Sequence, residues 1–423
     1  MSRAFLPHVI TDDSALGGSV IEKSLRFNKA DNTYLARTPS AQGDRRVFTL
    51  SWWMKLGQAG VKTPTTTIFS AQRASLNPDF QINLYEHALI IMGNKDGNSS
   101  SYMMSLVTEQ VFRDTNAWYH CVVAFNTNES TSSDRIKIYI NGSQVTDFAA
   151  GSTGLSHNTY PSSGDQTSWG TNEASQQIGR RYDGNKYFDG YLAEINYVDG
   201  SQLDASSFGY TEFQTGLWRP KRYTGGYGDV NNGFHLEFKD NSSTSALGKD
   251  TSGNENDFTT GNFSVSSGVG NDSVSDTPTN NWATMSLNVR AGSNPPTYTN
   301  GNLSVQGPDS GIGKCGATFG LSSGKWYAEA KITHSGSNLM LGIINAETNY
   351  NNNEYLGSGS DYAIAADCLN TRIRKEGSTV QSSLGGMQNG DILGFAIDMD
   401  NGTFQLYNNG STKGSQVSFT VAN

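Results

Sequence analysis

Acid–base chemistry has few places to start in this chain. Retaining glycoside hydrolysis needs two carboxyl groups about 5–5.5 Å apart, one acting as nucleophile and one as acid. The nearest approach to a strand pattern E-x-D-x-E or E-x-D-x-x-E is Glu255-Asn256-Asp257, with Thr259 and Thr260 in both places open to the second glutamate. That triplet lies in a turn-rich stretch rather than a strand. The six histidines, His8, His87, His120, His157, His235 and His334, contain no H-x-x-x-H pair, which argues against a catalytic zinc site. His120, inside the apolar run WYHCVVAF, reads as a hydrogen-bonded interior residue. GPDSGIGKC imitates a phosphate loop, but its first glycine is misplaced and Cys315 replaces the required Ser or Thr. No G-x-S-x-G elbow occurs. The expectation is a protein that is not an enzyme and carries no catalytic cofactor.

Binding chemistry is better supplied. The stretches YPSSGDQTSWG and RRYDGNKYFDG carry Tyr160, Trp169, Tyr182, Asp183 and Tyr187. Sugars stack on aromatic faces and hydrogen-bond to carboxylates and amides, so these residue types suit a glycan site. The competing reading is that Trp169 and Tyr187 cover the ends of a sandwich. Asp165, in SSGDQTSW, reads as the first acceptor of an ordinary Asp-containing turn.

The elements that must position these residues are strands. In VFTLSWWMKL, Phe48, Leu50, Trp52, Met54 and Leu56 share one face, while Val47, Thr49, Ser51, Trp53 and Lys55 share the other. WYHCVVAF predicts a strand buried on both faces. RIKIYINGSQV predicts a hairpin, with Ile136, Ile138 and Ile140 inward and Asn141-Gly142 forming a type I′ turn. A second hairpin is expected to turn at Asn401-Gly402, with Phe404 and Leu406 on one face and Tyr407 on the other. Helical periodicity is confined to residues 105–114 (SLVTEQVFRD) and 203–210 (LDASSFGY), both too short to be stable alone.

Composition agrees. The chain has 423 residues, 47 of them glycine, with only 16% charged and 11% aromatic, and a formal net charge of -9. At about 150 residues per domain this suggests two or three domains. No apolar stretch reaches about 18 residues, so no membrane-spanning helix is expected. The acidic balance without a basic run argues against nucleic-acid binding. Three cysteines, Cys121, Cys315 and Cys368, are odd in number and suit a reducing compartment, with a Cys315–Cys368 pairing left open. The opening MSRAFLPHVITDDSALGG is a poor secretory signal.

Residues 20–205 resemble the laminin G-like, concanavalin A-like jelly rolls. SLRFNKADNTYLART, VFTLSWWMKL, WYHCVVAF, RIKIYINGSQV and the closing QIGRRYDGNKYFDGYLAEINYVDG carry the likeness. Residues 312–423 resemble a SPRY module through SSGKWYAEAKI, LMLGIINAE and GDILGFAIDMDNGTFQLYNNG, and that pattern ordinarily continues past residue 423. With a turn-rich bridge over 206–311 between them, the whole is similar to structural proteins of tailed bacteriophages, fibre-like ones especially. The resemblance implies an all-β chain of tandem jelly-roll sandwiches. It implies a virion protein, assembled in the bacterial cytoplasm, that meets other virion proteins and a host polysaccharide or receptor. It also implies a homotrimer, an edge left open at the C-terminal end, and a rim loop where Asp165 and Asp183 are weak calcium candidates. Residues 1–19 read as an arm whose Phe5, Leu6, Val9 and Ile10 anchor it to a virion partner. A capsid-surface decoration protein is the alternative, and a carbohydrate-active enzyme of concanavalin A-like fold the second.

Overall fold

The computed structural model describes residues 18–57, 65–73, 79–95, 98–149, 158–228, 232–268, 270–333, 339–345, 355–357 and 363–421. The arm residues Phe5, Leu6, Val9 and Ile10 lie outside the described residues. The chain is all-β and divides into two compact units. Among the described residues, one runs to Thr284 and takes in Tyr298–Ser304; the other comprises Met285–Thr297 and Val305 onward.

The N-terminal unit is a two-sheet sandwich. Its strands are β1 (Ser24–Phe27), β2 (Tyr34–Arg37), β3 (Val47–Leu56), β4 (Thr66–Arg73), β5 (Asp79–Tyr85), β6 (Ala88–Lys95), β7 (Asn98–Val111), β8 (Trp118–Asn126) and β9 (Ile136–Ile140). Then follow β10 (Ser143–Gln144), β11 (Ala174–Ile178), β12 (Gly190–Asp199), β13 (Gly209–Thr211), β14 (Trp218–Pro220), β15 (Phe234–Leu236), β16 (Thr259–Gly261) and β17 (Ser273–Val274). One sheet has the order β10-β9-β8-β3-β12-β1-β17, with β15 also on β12; the other has the order β16-β2-β11-β4-β5-β6-β7. Period-2 patterning puts Phe48, Leu50 and Trp52 of β3 and Ile136 and Ile138 of β9 inside, where they meet Phe69 and Phe80 of the facing sheet. The Asn141-Gly142 turn has φ of 48° and 83°, as a two-residue primed hairpin requires.

The turn-rich stretch after residue 205 adds strands to the sandwich. β15, β16 and β17 all lie beyond residue 205, yet they pair with β12, β2 and β1 of the sandwich. The physical reason is the outer face of β3, β8 and β12. Trp53, Trp118, Val122, Tyr191 and Val198 point out of the sandwich there and are buried under Ile21, Phe208, Trp218, Tyr223 and Tyr227. Without that cover, a large aromatic surface would stand in water. Trp282 of the same stretch keeps its side chain exposed, while its carbonyl accepts from Lys55 Nζ.

Both helical expectations are corrected. Residues 105–111 belong to the fourteen-residue strand β7, and residues 203–210 hold only a 3-10 turn, Ala205–Ser207, capped by Asp204. In β7, Leu106 faces the core, while Val107 faces outward onto Ile90 and Ala149, so both faces carry apolar residues and the period-2 signal blurs.

The C-terminal unit is a smaller sandwich. Lys325–Lys331, Ile392–Asp398, Thr403–Asn408 and Ser411–Ser418 form one sheet, and Met340–Ile344, Ala363–Asp367, Arg372–Lys375 and Ser378–Gln381 the other. Ile364, Ile373, Leu393, Phe404 and Leu406 fill the space between them. The hairpin after Asp398 is a four-residue loop ending at Gly402, because Asp398 pairs with Thr403. The two-residue primed turn is the next one, Asn409-Gly410, at φ of 49° and 78°. No disulfide joins Cys121, Cys315 or Cys368.

Candidate functional site

The outer face of the second sheet is polar by sequence. In β5, Phe80, Ile82 and Leu84 point inward, so Asp79, Gln81 and Asn83 point out. β4 adds Ser70 and β11 adds Gln177 to that face. The loop after β11 folds over them. Ser70 Oγ donates to Arg180 O (3.0 Å), Arg180 Nε donates to Gln177 Oε1 (2.8 Å), and the Arg180 guanidinium lies over the Tyr34 ring.

Asp79 is the hub. Its carboxylate accepts from Asn94 N (2.8 Å), Gln81 Nε2 (2.7 Å) and Tyr182 Oη (3.3 Å), and it is 2% exposed. Burial raises its pKa against the effect of these donors. The same burial, together with the Asp79 charge, pushes the Tyr182 phenol up to about 12, so it stays a donor. Above this buried layer the tip is open. Arg181 N donates to Asn185 O and Gly184 N to Arg181 O, closing a tight turn. The Asp183 carboxylate pairs with the Arg181 guanidinium and accepts from Asn185 Nδ2 (2.8 Å); that guanidinium holds its pKa low. Asp183, Gly184 and Asn185 are exposed, and Tyr182 and Tyr187 half-buried.

Of the sequence-selected residues, the structure therefore brings Tyr182, Asp183 and Tyr187 together on one loop. Tyr160 stands elsewhere, after the Ser105–Thr159 bridge and edge-on to Phe148. Trp169 is fully buried in the sandwich core, edge-on to Phe69 and Tyr197, and offers no face to solvent. Its apolar neighbours take the ring inward. Asp165 Oδ2 accepts from Ser162 N (2.8 Å) in an Asp-containing turn. Among the described residues no three His, Cys, Asp or Glu side chains gather to hold a metal ion. His120 is interior, with Nδ1 accepting from Trp218 Nε1 and Nε2 on Ser51 Oγ, both at 2.9 Å; burial lowers its pKa to about 3.

Sequence reading passed over Asp79. Its signal was present: in DFQINLY a polar set, Asp79, Gln81 and Asn83, alternates with an apolar set, marking a strand whose outer face is polar.

A second concentration of charge lines a cleft with Ser19, Ile21, Glu22, Glu194, Arg222, Glu237 and Lys239. A β-bulge places Glu194 at φ of 49° and aims it at His235 Nε2, 2.7 Å away. Glu237 lies 3.7 Å from Nδ1 of the same ring. The imidazole thus stands between the two carboxylates.

Residues 29–206 match the family model described as the concanavalin A-like lectin/glucanases superfamily. The N-terminal module is laminin G-like and concanavalin A-like in fold. Among solved structures, the LG4-5 domains of the mouse laminin alpha1 chain are 10% identical, with 96% of this chain and 80% of that chain covered and a TM-score of 0.33. A heptameric SAP-like pentraxin from Limulus polyphemus is 14% identical, covering 44% of this chain and 79% of that one, at a TM-score of 0.29. Domain 4 of an extracellular arabinanase from Geobacillus stearothermophilus is 16% identical, covering 40% and 66%, at a TM-score of 0.28. Among curated proteins none matches the chain.

Proposed function

We propose that this is a non-enzymatic, fibre-like virion protein of a tailed bacteriophage, whose N-terminal sandwich holds a host-surface polysaccharide with the loop 180–187. One observation carries the binding site: Tyr182 is tethered by its hydroxyl to buried Asp79, while Asp183 and Asn185 beside it stay open to solvent. A tethered phenol ring loses little freedom when a sugar stacks on it, and the neighbouring carboxylate and amide supply orienting hydrogen bonds. The virion assignment is supported by the resemblance of the whole arrangement, a laminin G-like module followed by a SPRY-like one. The non-catalytic assignment is supported by the fate of the acidic triplet. Asp257 is spent on Lys249 Nζ (2.7 Å) and Asp250 N (2.9 Å) in a turn.

Calorimetric titration of the full chain with purified bacterial envelope polysaccharide tests the binding. Saturable binding is expected, lost in Tyr182→Ala and weakened in Asp183→Ala, with no new reducing ends released. Binding that is indifferent to both substitutions would remove the loop from the proposal, and release of reducing ends would make the protein an enzyme. Immunogold labelling of phage particles tests the virion assignment; unlabelled particles would overturn it.

A further inference from the structure

The strand Lys325–Lys331 forms one margin of its four-stranded sheet and pairs only with Ile392–Asp398 among the described residues. It is open on both faces: Trp326 is 43% exposed on one side and Tyr327 55% exposed on the other. The hydrogen bonds at its two ends fix which backbone groups point away. Met399 N donates to Gly324 O, and Ile332 N donates to Asp391 O. In an antiparallel ladder these groups alternate sides residue by residue. The even-numbered residues therefore turn N–H and C=O toward Ile392–Asp398. Lys325, Tyr327, Glu329 and Lys331 turn theirs outward, as a row of donors and acceptors that no strand among the described residues takes up.

We infer that this edge pairs with the same edge of a second copy of the chain, antiparallel about a two-fold axis at Tyr327. In that register the Tyr327 residues of the two copies face each other. Lys325 of each copy faces Glu329 of the other. All of these are outward-bonding positions, so each pair exchanges two N–H···O=C bonds. Opposite charges meet twice on the same face, flanking the two tyrosines. On the other face Trp326 comes to lie over the second copy's Ala328, whose small side chain leaves room for the ring.

Neighbouring registers fail. A one-residue slip sets outward-bonding positions against inward-bonding ones. A two-residue slip one way sets Lys325 against the second copy's Lys331, like charge against like; the other way sets Lys325 against Tyr327 and Glu329 against Ser323, which loses both charge pairs. Within one chain Lys325 leans on Asp398 at 3.2 Å, and Glu329 Oε1 accepts from Tyr327 Oη at 2.8 Å; both pairs hold the charged groups on the face where the second copy's charges arrive. The edge is complementary to itself, so the assembly it makes is an isologous dimer that closes at two copies, not the trimer implied by the resemblance to fibre-like proteins.

Sedimentation equilibrium of the full chain over a micromolar concentration series tests this. The expected result is a species of two-chain mass. Lys325→Glu and Glu329→Lys, each alone, put like charges at both crossing points and should yield monomers whose circular dichroism spectrum is unchanged. Mixing the two variants restores opposite charges at both crossings and should return the two-chain mass. A monomeric or trimeric full chain would overturn the inference. So would single variants that stay dimeric, or a mixture that stays monomeric.

Discussion

Lys55 Nζ, on β3, lies 2.7 Å from Asp276 Oδ2, a residue 221 positions further on, and both side chains are sealed from water. The ammonium also donates to Asn281 Oδ1 and Trp282 O, each at 2.8 Å, and the other Asp276 oxygen accepts from Trp118 Nε1 (3.0 Å). Burial lowers the Lys55 pKa even against the nearby carboxylate. A closing segment is thus locked to β3 by a charge pair that neither partner can leave cheaply.

The first prediction follows directly. Asp276→Ala strands a buried ammonium and orphans the Trp118 N–H, and should cost about 3–5 kcal/mol. Equilibrium denaturation in urea reads the cost as a lowered midpoint. Ending the chain at residue 205 removes this lock together with β15, β16 and β17, so that fragment should bind hydrophobic dyes rather than fold. A cooperative, dye-silent fragment would show that the later strands are accessory.

How much of this was legible varied with element length. The β9 hairpin was readable because five residues alternate cleanly before Asn141-Gly142. The locking role of residues 206–284 was not, because β15, β16 and β17 are two or three residues long and find their partners far away in sequence. Such strands carry too few residues to show a period. At the site, aromatic and acidic residue types pointed to Tyr182 and Asp183 but could not separate them from Trp169. Chemistry of type says nothing about which side of the backbone a loop residue takes.

The second prediction concerns Gly142. It sits at φ of 83°, and a Cβ there would approach the Trp218 ring to 2.4 Å. That ring covers the outer sheet face and donates to His120. Gly142→Ala therefore combines backbone strain with a clash against a packed ring, and should cost about 1–3 kcal/mol. A melting temperature within error of wild type would mean that Trp218 is not seated there.

The third is a pH dependence. Burial disfavours the His235 imidazolium, but Glu194 at 2.7 Å and Glu237 at 3.7 Å outweigh it, with Arg222 a smaller opposing charge, and the pKa is raised. A histidine with a raised folded pKa adds stability that is fully present below its unfolded pKa of about 6.5. That stability is lost as pH rises through the higher folded value. Denaturation midpoints across this range should fall with pH in the wild type more than in Glu194→Gln. A parallel pair of curves would rule out the charge pair.

The last prediction separates the two aromatic residues that looked alike in sequence. Trp169 lies among Phe69, Phe80 and Tyr197, and its indole N–H meets no acceptor among the described residues. Trp169→Ala opens a cavity between the sheets and should cost about 3–5 kcal/mol, whereas Trp169→Phe keeps most of the packing and removes an unpaired donor. Tyr182→Ala takes one of several donors from Asp79 at a half-exposed position, so its cost should stay near about 1 kcal/mol. The effects on ligand binding should reverse that order. At temperatures where all three variants remain folded, Trp169→Phe should bind polysaccharide like the wild type, while Tyr182→Ala should not. If Trp169→Phe loses binding while its melting temperature holds, the core indole is shaping the loop, and the ligand surface extends toward β11.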